Sequence, residues 1–335
     1  MKRTRKEVTE WTRELKYNPV LSLLNSGNVA VSYFSRRDLL EERVEPVEEL
    51  WELAEPERII ARQQSDGSWR YPSPKLEIRS QENYNQLETY RMLGILVEKY
   101  GFTREHQALQ KAAEFLFKFQ TEEGDFRGIF GNQYNPYYTA AFMEILTKAG
   151  YDDDPRVEAG FHWLLSVRQK DGGWAIPART VKGKNSLTLM RAIRKPEPIQ
   201  PDRSEPFSHM VTGVVLRAFA AHPKHRRDME AKSAGELLKS RFFQSDRYPD
   251  RKAPSFWTSF SYPFWFTDLL SSLDSLSQLE FSSKDQDVRK ALDWFVGKQK
   301  ENGLWKLRML KTKSSDLSLW LSLAVSKVFE RFYGK

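Results

Sequence analysis

The chain has 335 residues and no cysteine, which excludes disulfides and thiolate metal sites. Its five histidines are scattered and show no ligand spacing of the His-x-x-x-His kind, so neither a metal nor a cofactor is expected. Long hydrophobic runs are also missing. The most apolar stretch, His209–Ala221, is too short for a membrane span and contains Arg217. The basic start Met1-Lys2-Arg3-Thr4-Arg5-Lys6 leads into no apolar signal core, so export is not expected and the chain reads as cytoplasmic. No long block carries one sign of charge. The net +8 comes from 53 basic against 45 acidic residues, with basic residues gathered at the N-terminus, at 182–195 and at 224–252. This reads as a solvated surface: nucleic acid is not the expected partner, and peripheral contact with an anionic membrane stays open.

What the chain does have is rings and a repeat. Aromatics make up 13% of it, including 10 Trp and 21 Phe, more than an ordinary core uses. Four times a glutamine precedes a glycine that stands two residues before a ring: Gln63…Gly67-Ser68-Trp69, Gln120…Gly124-Asp125-Phe126, Gln169…Gly172-Gly173-Trp174 and Gln299…Gly303-Leu304-Trp305. An internal repeat of this kind decides architecture before any other signal.

The segments entering the loops read as amphipathic outer helices. Leu109, Ala112, Ala113 and Leu116 fall at helical spacing, as do Val288, Ala291, Leu292 and Phe295, and Val157, Phe161, Leu164 and Leu165 make a similar stripe. Asp154-Pro155 offers an N-cap with proline at the first helical position, and Ser283 with Gln286 forms a capping box. Segments after the ring are apolar all round, as in 210–216, and read as buried inner helices. Gly101 and Gly150 stand where left-handed helix caps belong.

Thr89, Thr139, Thr212, Thr267 and Ser318 recur on the inner segments in steps of 50, 73, 55 and 51 residues. The long step contains a polar, proline-bearing insertion at about 179–206, and the unit before Thr267 has a degenerate loop whose ring arrives late, at Trp257. Short helices at 19–24, 29–40 and 47–62, broken at Pro46 and Pro56, precede the array. The expected organisation is an N-terminal helical cap over 1–54 and a repeat array over 55–332, together one continuous unit.

The Gln…Gly-x-Trp loop between two helices resembles the QW-type motif of squalene–hopene cyclases and related terpenoid cyclases, and its Gly-Gly-Phe variant is similar to the repeat of protein prenyltransferase β subunits. The resemblance covers about residues 55 to 332. It implies an all-α fold, an α/α toroid of about five to six helical hairpins whose inner helices line a central cavity. The proton donor of triterpene cyclases lies in an Asp-x-Asp-Asp-Thr motif at the start of an inner helix. With the recurring threonines as register, the corresponding stretches here are Asn85-Gln86-Leu87-Glu88-Thr89, Asn135-Pro136-Tyr137-Tyr138-Thr139, Ser208-His209-Met210-Val211-Thr212 and Pro263-Phe264-Trp265-Phe266-Thr267. Only Ser314-Ser315-Asp316-Leu317-Ser318 puts an aspartate at the centre, without supporting carboxylates. The acid motif is absent. So is the cysteine of the prenyltransferase zinc site, which removes the zinc-dependent reading. Asp152-Asp153-Asp154 lies at the opposite end of the hairpin and reads as helix capping.

The loop ends of the inner helices are expected to converge on one mouth. The ligand-binding candidates are Asp125, Arg127, Asn132, Tyr134, Tyr137, Tyr138, Arg179, Trp257, Phe264 and Trp265, with Gln133 beside them. Asp125 and Arg127 are equally well placed to pair across their loop, and the rings to pack as core. Glu88, Asp268 and Asp316 are the acid candidates, since carboxyls on buried helices need partners or shift their pKa. His209 either caps its helix or serves as a general base. The resemblance implies a protein that binds or cyclises an isoprenoid or similar apolar molecule against carbocation-stabilising rings. A non-catalytic cleft for a peptide, a protein partner or a glycan is the alternative, and whether the chain is an enzyme stays open.

Overall fold

The computed structural model describes residues 10–77, 79–181, 195–310 and 316–334. Part of the insertion, at 182–194, lies outside the described residues, as do Ser314 and Ser315. The described helices are α1 (Val20–Leu24), α2 (Val29–Leu39), α3 (Ala54–Ile60), α4 (Gln81–Tyr100), α5 (Gln107–Phe117), α6 (Pro136–Leu146) and α7 (Pro155–Ser166). They continue as α8 (Pro177–Thr180), α9 (His209–Ala221), α10 (Met229–Lys239), α11 (Leu269–Gln278), α12 (Gln286–Lys298) and α13 (Leu317–Tyr333). Pro56 does not break α3; it sits in the first turn, where its missing N–H costs nothing. Among the described residues there is no strand, only isolated bridges, and no helix is long and apolar enough to cross a membrane.

Two compact units account for the packing: residues 47–237 with 246–252, and residues 1–46 with 238–245 and 253–335. In the first, α4, α6 and α9 are the inner helices, and α6 packs along α9. Every residue of α9 from His209 to Ala220 is buried. Outer helices α5 and α7 bury one stripe each, Leu109, Ala112, Ala113 and Leu116 on α5 and Val157, Phe161 and Leu164 on α7. In the second unit α13 is the inner helix, packed on α11 and α2, and α12 buries Val288, Ala291, Leu292 and Phe295. Asp154 caps α7, and Gly101 ends α4 in the left-handed conformation, as the sequence predicts. The cap of α12 differs: Asp285 receives the Asp287 and Val288 N–H groups, because the helix starts later than a Ser283 cap requires.

One clamp recurs in three of the four copies. The Gln63 amide donates to the Gly67 carbonyl at 2.9 Å and to the Ala108 carbonyl at 2.7 Å, in the first turn of α5. Gln120 does the same to Gly124 and Arg156, at 2.9 and 2.8 Å, and Gln299 to Gly303 and Tyr17, at 2.8 and 2.7 Å. Each clamp ties an outer helix end to its own loop and to the next segment along. The third copy departs from the sequence register. There Arg168, not Gln169, reaches the loop carbonyl of Gly172, at 3.0 and 2.9 Å, and faces Glu230 in the first turn of α10 at 4.0 Å. Gln169 instead holds the return of the insertion, donating to Asp202 and Glu205 carbonyls at 2.8 and 2.7 Å. With Arg168 as the clamp, all four copies share one spacing.

The ring residue completes the motif. Its backbone N–H donates to a hydroxyl on the inner helix: Trp69 to Thr89, Phe126 to Thr139, Trp174 to Thr212 and Trp305 to Ser322, at 2.9–3.1 Å. The register residue of the last copy is therefore Ser322, one helical turn beyond the expected Ser318. Thr267 precedes α11 and is not on an inner helix.

The loop glycines Gly67, Gly124, Gly172 and Gly303 all have positive φ, from 80° to 100°. A Cβ on Gly124 would lie 2.4 Å from the Ala159 carbonyl oxygen of α7. Gly124→Ala is expected to destabilise the protein by about 2–4 kcal/mol in urea unfolding. Gly297→Ala, in an open position on α12, should instead raise stability by up to about 1 kcal/mol. Equal effects of the two would show that the loop contact does not constrain the fold.

Candidate functional site

The inner helices of the first unit carry charge where packing alone calls for none. Arg217 of α9 and Glu144 of α6 are both almost fully buried and bond through Nε and Oε2 at 2.8 Å. Lys148 donates to the other oxygen of Glu144 at 2.8 Å and to Glu98 of α4 at 2.5 Å. Burial alone would push the Glu144 carboxyl up, but Arg217 and Lys148 more than offset it and hold its pKa below the usual range. Glu144 is thus an ion, not a proton donor.

Rings gather beside this pair. Tyr90 and Tyr138 pack against Phe142 at 5.4 and 6.2 Å, and Tyr137 meets Tyr138 edge-on at 5.1 Å. Burial raises the pKa of Tyr90, Tyr137 and Tyr138, so all three stay neutral phenols. Tyr137 and Tyr138 are legible from the repeat register, whereas Tyr90, Glu144 and Arg217 are not. A charge inside an all-apolar helix was the available signal.

At the loop end, Asp125 and Arg127 do pair. Arg127 Nε lies 3.0 Å from the fully buried Asp125 carboxylate, which also accepts from the Thr121 hydroxyl. Its other nitrogens reach Asn132 and Glu123 at 2.6 Å each, and its guanidinium sits 5.0 Å over the Tyr134 ring. Tyr134 donates to Glu123 at 2.7 Å. Gln133 and Asn132 hold the carbonyls of Glu197 and Pro196, on the return of the insertion. This network orders the loop and leaves Arg127 engaged on three sides. Arg179 is buried and bonds both oxygens of Asp250, at 2.7 and 2.8 Å. His209 Nε2 lies 3.6 Å from Asp246 Oδ2, which also accepts from Ser208 Oγ at 2.8 Å and Met210 N at 3.0 Å. Ser208 and Asp246 cap α9, not His209.

Glu88 is half-buried on α4 and bonds Arg91 at 2.9 Å. Burial raises its pKa, against the pull of Arg91. In the second unit, Asp268 is the buried N-cap of α11 in a capping box with Ser271. Asp316 accepts from Asn28 at 3.0 Å and stands six residues before Ser322, outside the span of the acid motif. Trp257 packs as a wall ring, donating from Nε1 to the Gln244 carbonyl at 2.9 Å. Phe264 is buried edge-on to Tyr262, and Trp265 is half-buried.

A cavity of about 550 Å³ opens on the first unit, lined by Asp152, Asp154, Glu158, His162, His222 and Lys224 among others. It lies at the turn between α6 and α7, the opposite end of that hairpin from the Gln…Gly loop. Side-chain atoms of Glu158, His222 and His225 lie within 4.8 Å of one another beside it.

The family model described as the squalene-hopene cyclase C-terminal domain matches residues 85–191. That stretch resembles squalene–hopene cyclases. A "probable squalene–hopene cyclase" of Sinorhizobium fredii (strain NBRC 101917 / NGR234) is 32% identical over 87 residues, which is 26% of this chain and 13% of the relative's length. Two solved structures are alike in outline. One is a variant of the type II terpene cyclase MstE from Scytonema with geranylgeranyl dihydroxybenzoate, at 14% identity over 94% of this chain and 98% of that one, TM-score 0.38. The other is an α-amylase from Clostridium perfringens, at 13% identity over 98% and 86%, TM-score 0.40. Likenesses at these scores carry no argument about chemistry. The described residues form an all-α chain of helical hairpins, and the stretch 85–191 is of the kind found in the squalene-hopene cyclase C-terminal domain.

Removing one partner of the buried pair strands the other. Glu144→Gln is expected to cost about 3–5 kcal/mol in chemical unfolding, whereas Glu144→Leu with Arg217→Met should recover most of the loss. A double variant no better than the single one would show that the two charges act independently.

Proposed function

We propose that the inner-helix wall formed by α4, α6 and α9 binds the apolar chain of an isoprenoid or similar lipid-like molecule and does not start its cyclisation by protonation. One observation carries this reading. The hydrogen bond from Phe126 N–H to Thr139 sets the register of the second hairpin, and in that register Tyr137 occupies the centre of the acid motif. A phenol whose pKa burial raises well above its ordinary value does not protonate an alkene. Glu144, the buried carboxylate on the same helix, is neutralised by Arg217 and Lys148. Tyr138 is half-buried over the buried rings of Tyr90 and Phe142, and its face would favour an electron-poor ligand.

The test is incubation of the purified chain with geranylgeraniol and with squalene, read by native mass spectrometry and by gas chromatography of the extract. A bound polyene recovered unchanged is expected, with uptake reduced at least about tenfold in Tyr138→Ala. A cyclised product lost in Glu88→Gln would overturn the non-catalytic reading and make Glu88 the acid, consistent with its raised pKa. No uptake of either polyene would overturn the apolar-ligand reading and favour a peptide or glycan.

A further inference from the structure

Away from that wall, α7 and the turn after α9 bring Glu158, His162 and His222 to the edge of the 550 Å³ cavity, with His225 buried behind Glu158. Their hydrogen bonds assign the protons. His222 Nδ1 accepts the backbone N–H groups of Lys224 and His225, each at 3.2 Å, and its Nε2 lies 3.0 Å from the Asp152 carbonyl oxygen. A carbonyl only accepts, so Nε2 carries the proton. This ring holds the 222–225 turn and offers no lone pair to an ion.

His225 is arranged differently. Its Nδ1 lies 2.7 Å from Asp228 Oδ2 and its Nε2 3.0 Å from Glu158 Oε2. Both neighbours accept, so Nδ1–H donates to Asp228, and Nε2 faces a carboxylate oxygen, two acceptors that need something between them. Two occupants meet that requirement, a proton or a metal ion. The carboxylate behind Nδ1 is the arrangement that orients metal-binding histidines. Phe161 stacks on the ring at 4.4 Å between centroids and fixes its plane.

A third ligand is one helical turn away. His162 and Glu158 share a face of α7, with His162 Nε2 3.2 Å from Glu158 Oε1. The His162 side chain is 70% exposed and can turn onto an ion. Ligand atoms 3.0 Å apart, at the ~2.0–2.2 Å that zinc takes, subtend roughly 90° at the metal, within the range of its sites. Lys224 Nζ, 2.6 Å from Glu158 Oε1, now occupies part of the space; that side chain is 66% exposed and can swing clear.

We propose that Glu158, His162 and His225 form a site for a borderline divalent transition metal such as zinc(II), with Asp228 orienting His225 and an open coordination position toward the cavity. No thiolate is needed, so the lack of cysteine does not bear on it. The scatter of histidines along the sequence hides the grouping, because Glu158 and His225 are 67 positions apart.

The full chain, freed of metal by a chelator, would be titrated with zinc chloride by calorimetry and with cobalt(II) chloride by visible absorption. One equivalent is expected, with a tetrahedral cobalt band that zinc removes. His225→Gln and Glu158→Gln should each weaken binding by at least about tenfold. Because those two are packed, His162→Ala is the decisive variant: being exposed, it should weaken binding similarly with an unchanged Tm. Lys224→Ala should strengthen binding by removing the competing cation. Absence of stoichiometric uptake, or uptake indifferent to His162→Ala and Glu158→Gln, would overturn the proposal and leave His225 as a packed ring held between Asp228 and Glu158.

Discussion

The structure depends on one directed contact, a side-chain donor at the end of an outer helix that reaches two backbone carbonyls at once. Helix ends leave carbonyls and N–H groups without partners, and a loop tight enough to turn back onto an inner helix adds more. Gln63, Gln120, Arg168 and Gln299 each bond a loop carbonyl, and the three glutamines also bond a carbonyl of the next segment along. The glycine must be glycine because its φ is positive and because, at Gly67, Gly124 and Gly303, a Cβ would run into a backbone carbonyl of the adjoining segment. The ring then docks through its own N–H onto a hydroxyl of the inner helix. Three residue types thereby define a hairpin unit whose inner helix is free to vary.

That freedom explains where unusual chemistry accumulates. The apolar stripes of α5, α7 and α12 meet ordinary packing needs. The inner helices instead hold an ion pair, neutral phenols and a lysine bridging two carboxylates, all at the cost of desolvation. A buried pair of this kind is weak support for stability and better support for a specified arrangement of groups.

Much of the fold was legible in the chain, because periodic stripes, proline at N1 and glycine at a helix end are local signals. The failures were local substitutions of one chemistry for another. Arg168 performs a glutamine's task with a guanidinium, so a pattern anchored on Gln169 slips by one. Ser322 replaces threonine one turn later than the interval suggests, which made Asp316 look like an acid at the motif centre. Asp285 caps α12 because an aspartate next to the helix start outcompetes a serine two residues earlier. The candidate sites were less legible. Asp125, Arg127, Tyr137 and Tyr138 lie close to a repeat landmark, whereas Glu144 with Arg217 and Glu158 with His225 are joined only by folding. Repeat register places residues within one hairpin and is silent about which charge on the next will meet them.

The last clamp joins Gln299 to Tyr17 across 282 positions of chain. During synthesis at about 5–20 residues per second, the segment around α1 waits roughly 15–60 s for the loop that secures it. Hairpins in the middle acquire their partners within one repeat of emerging. The helix α1 can pack on its neighbour α2 at once, but the clamp that ties its leading segment to the last loop closes only after all these positions have been made.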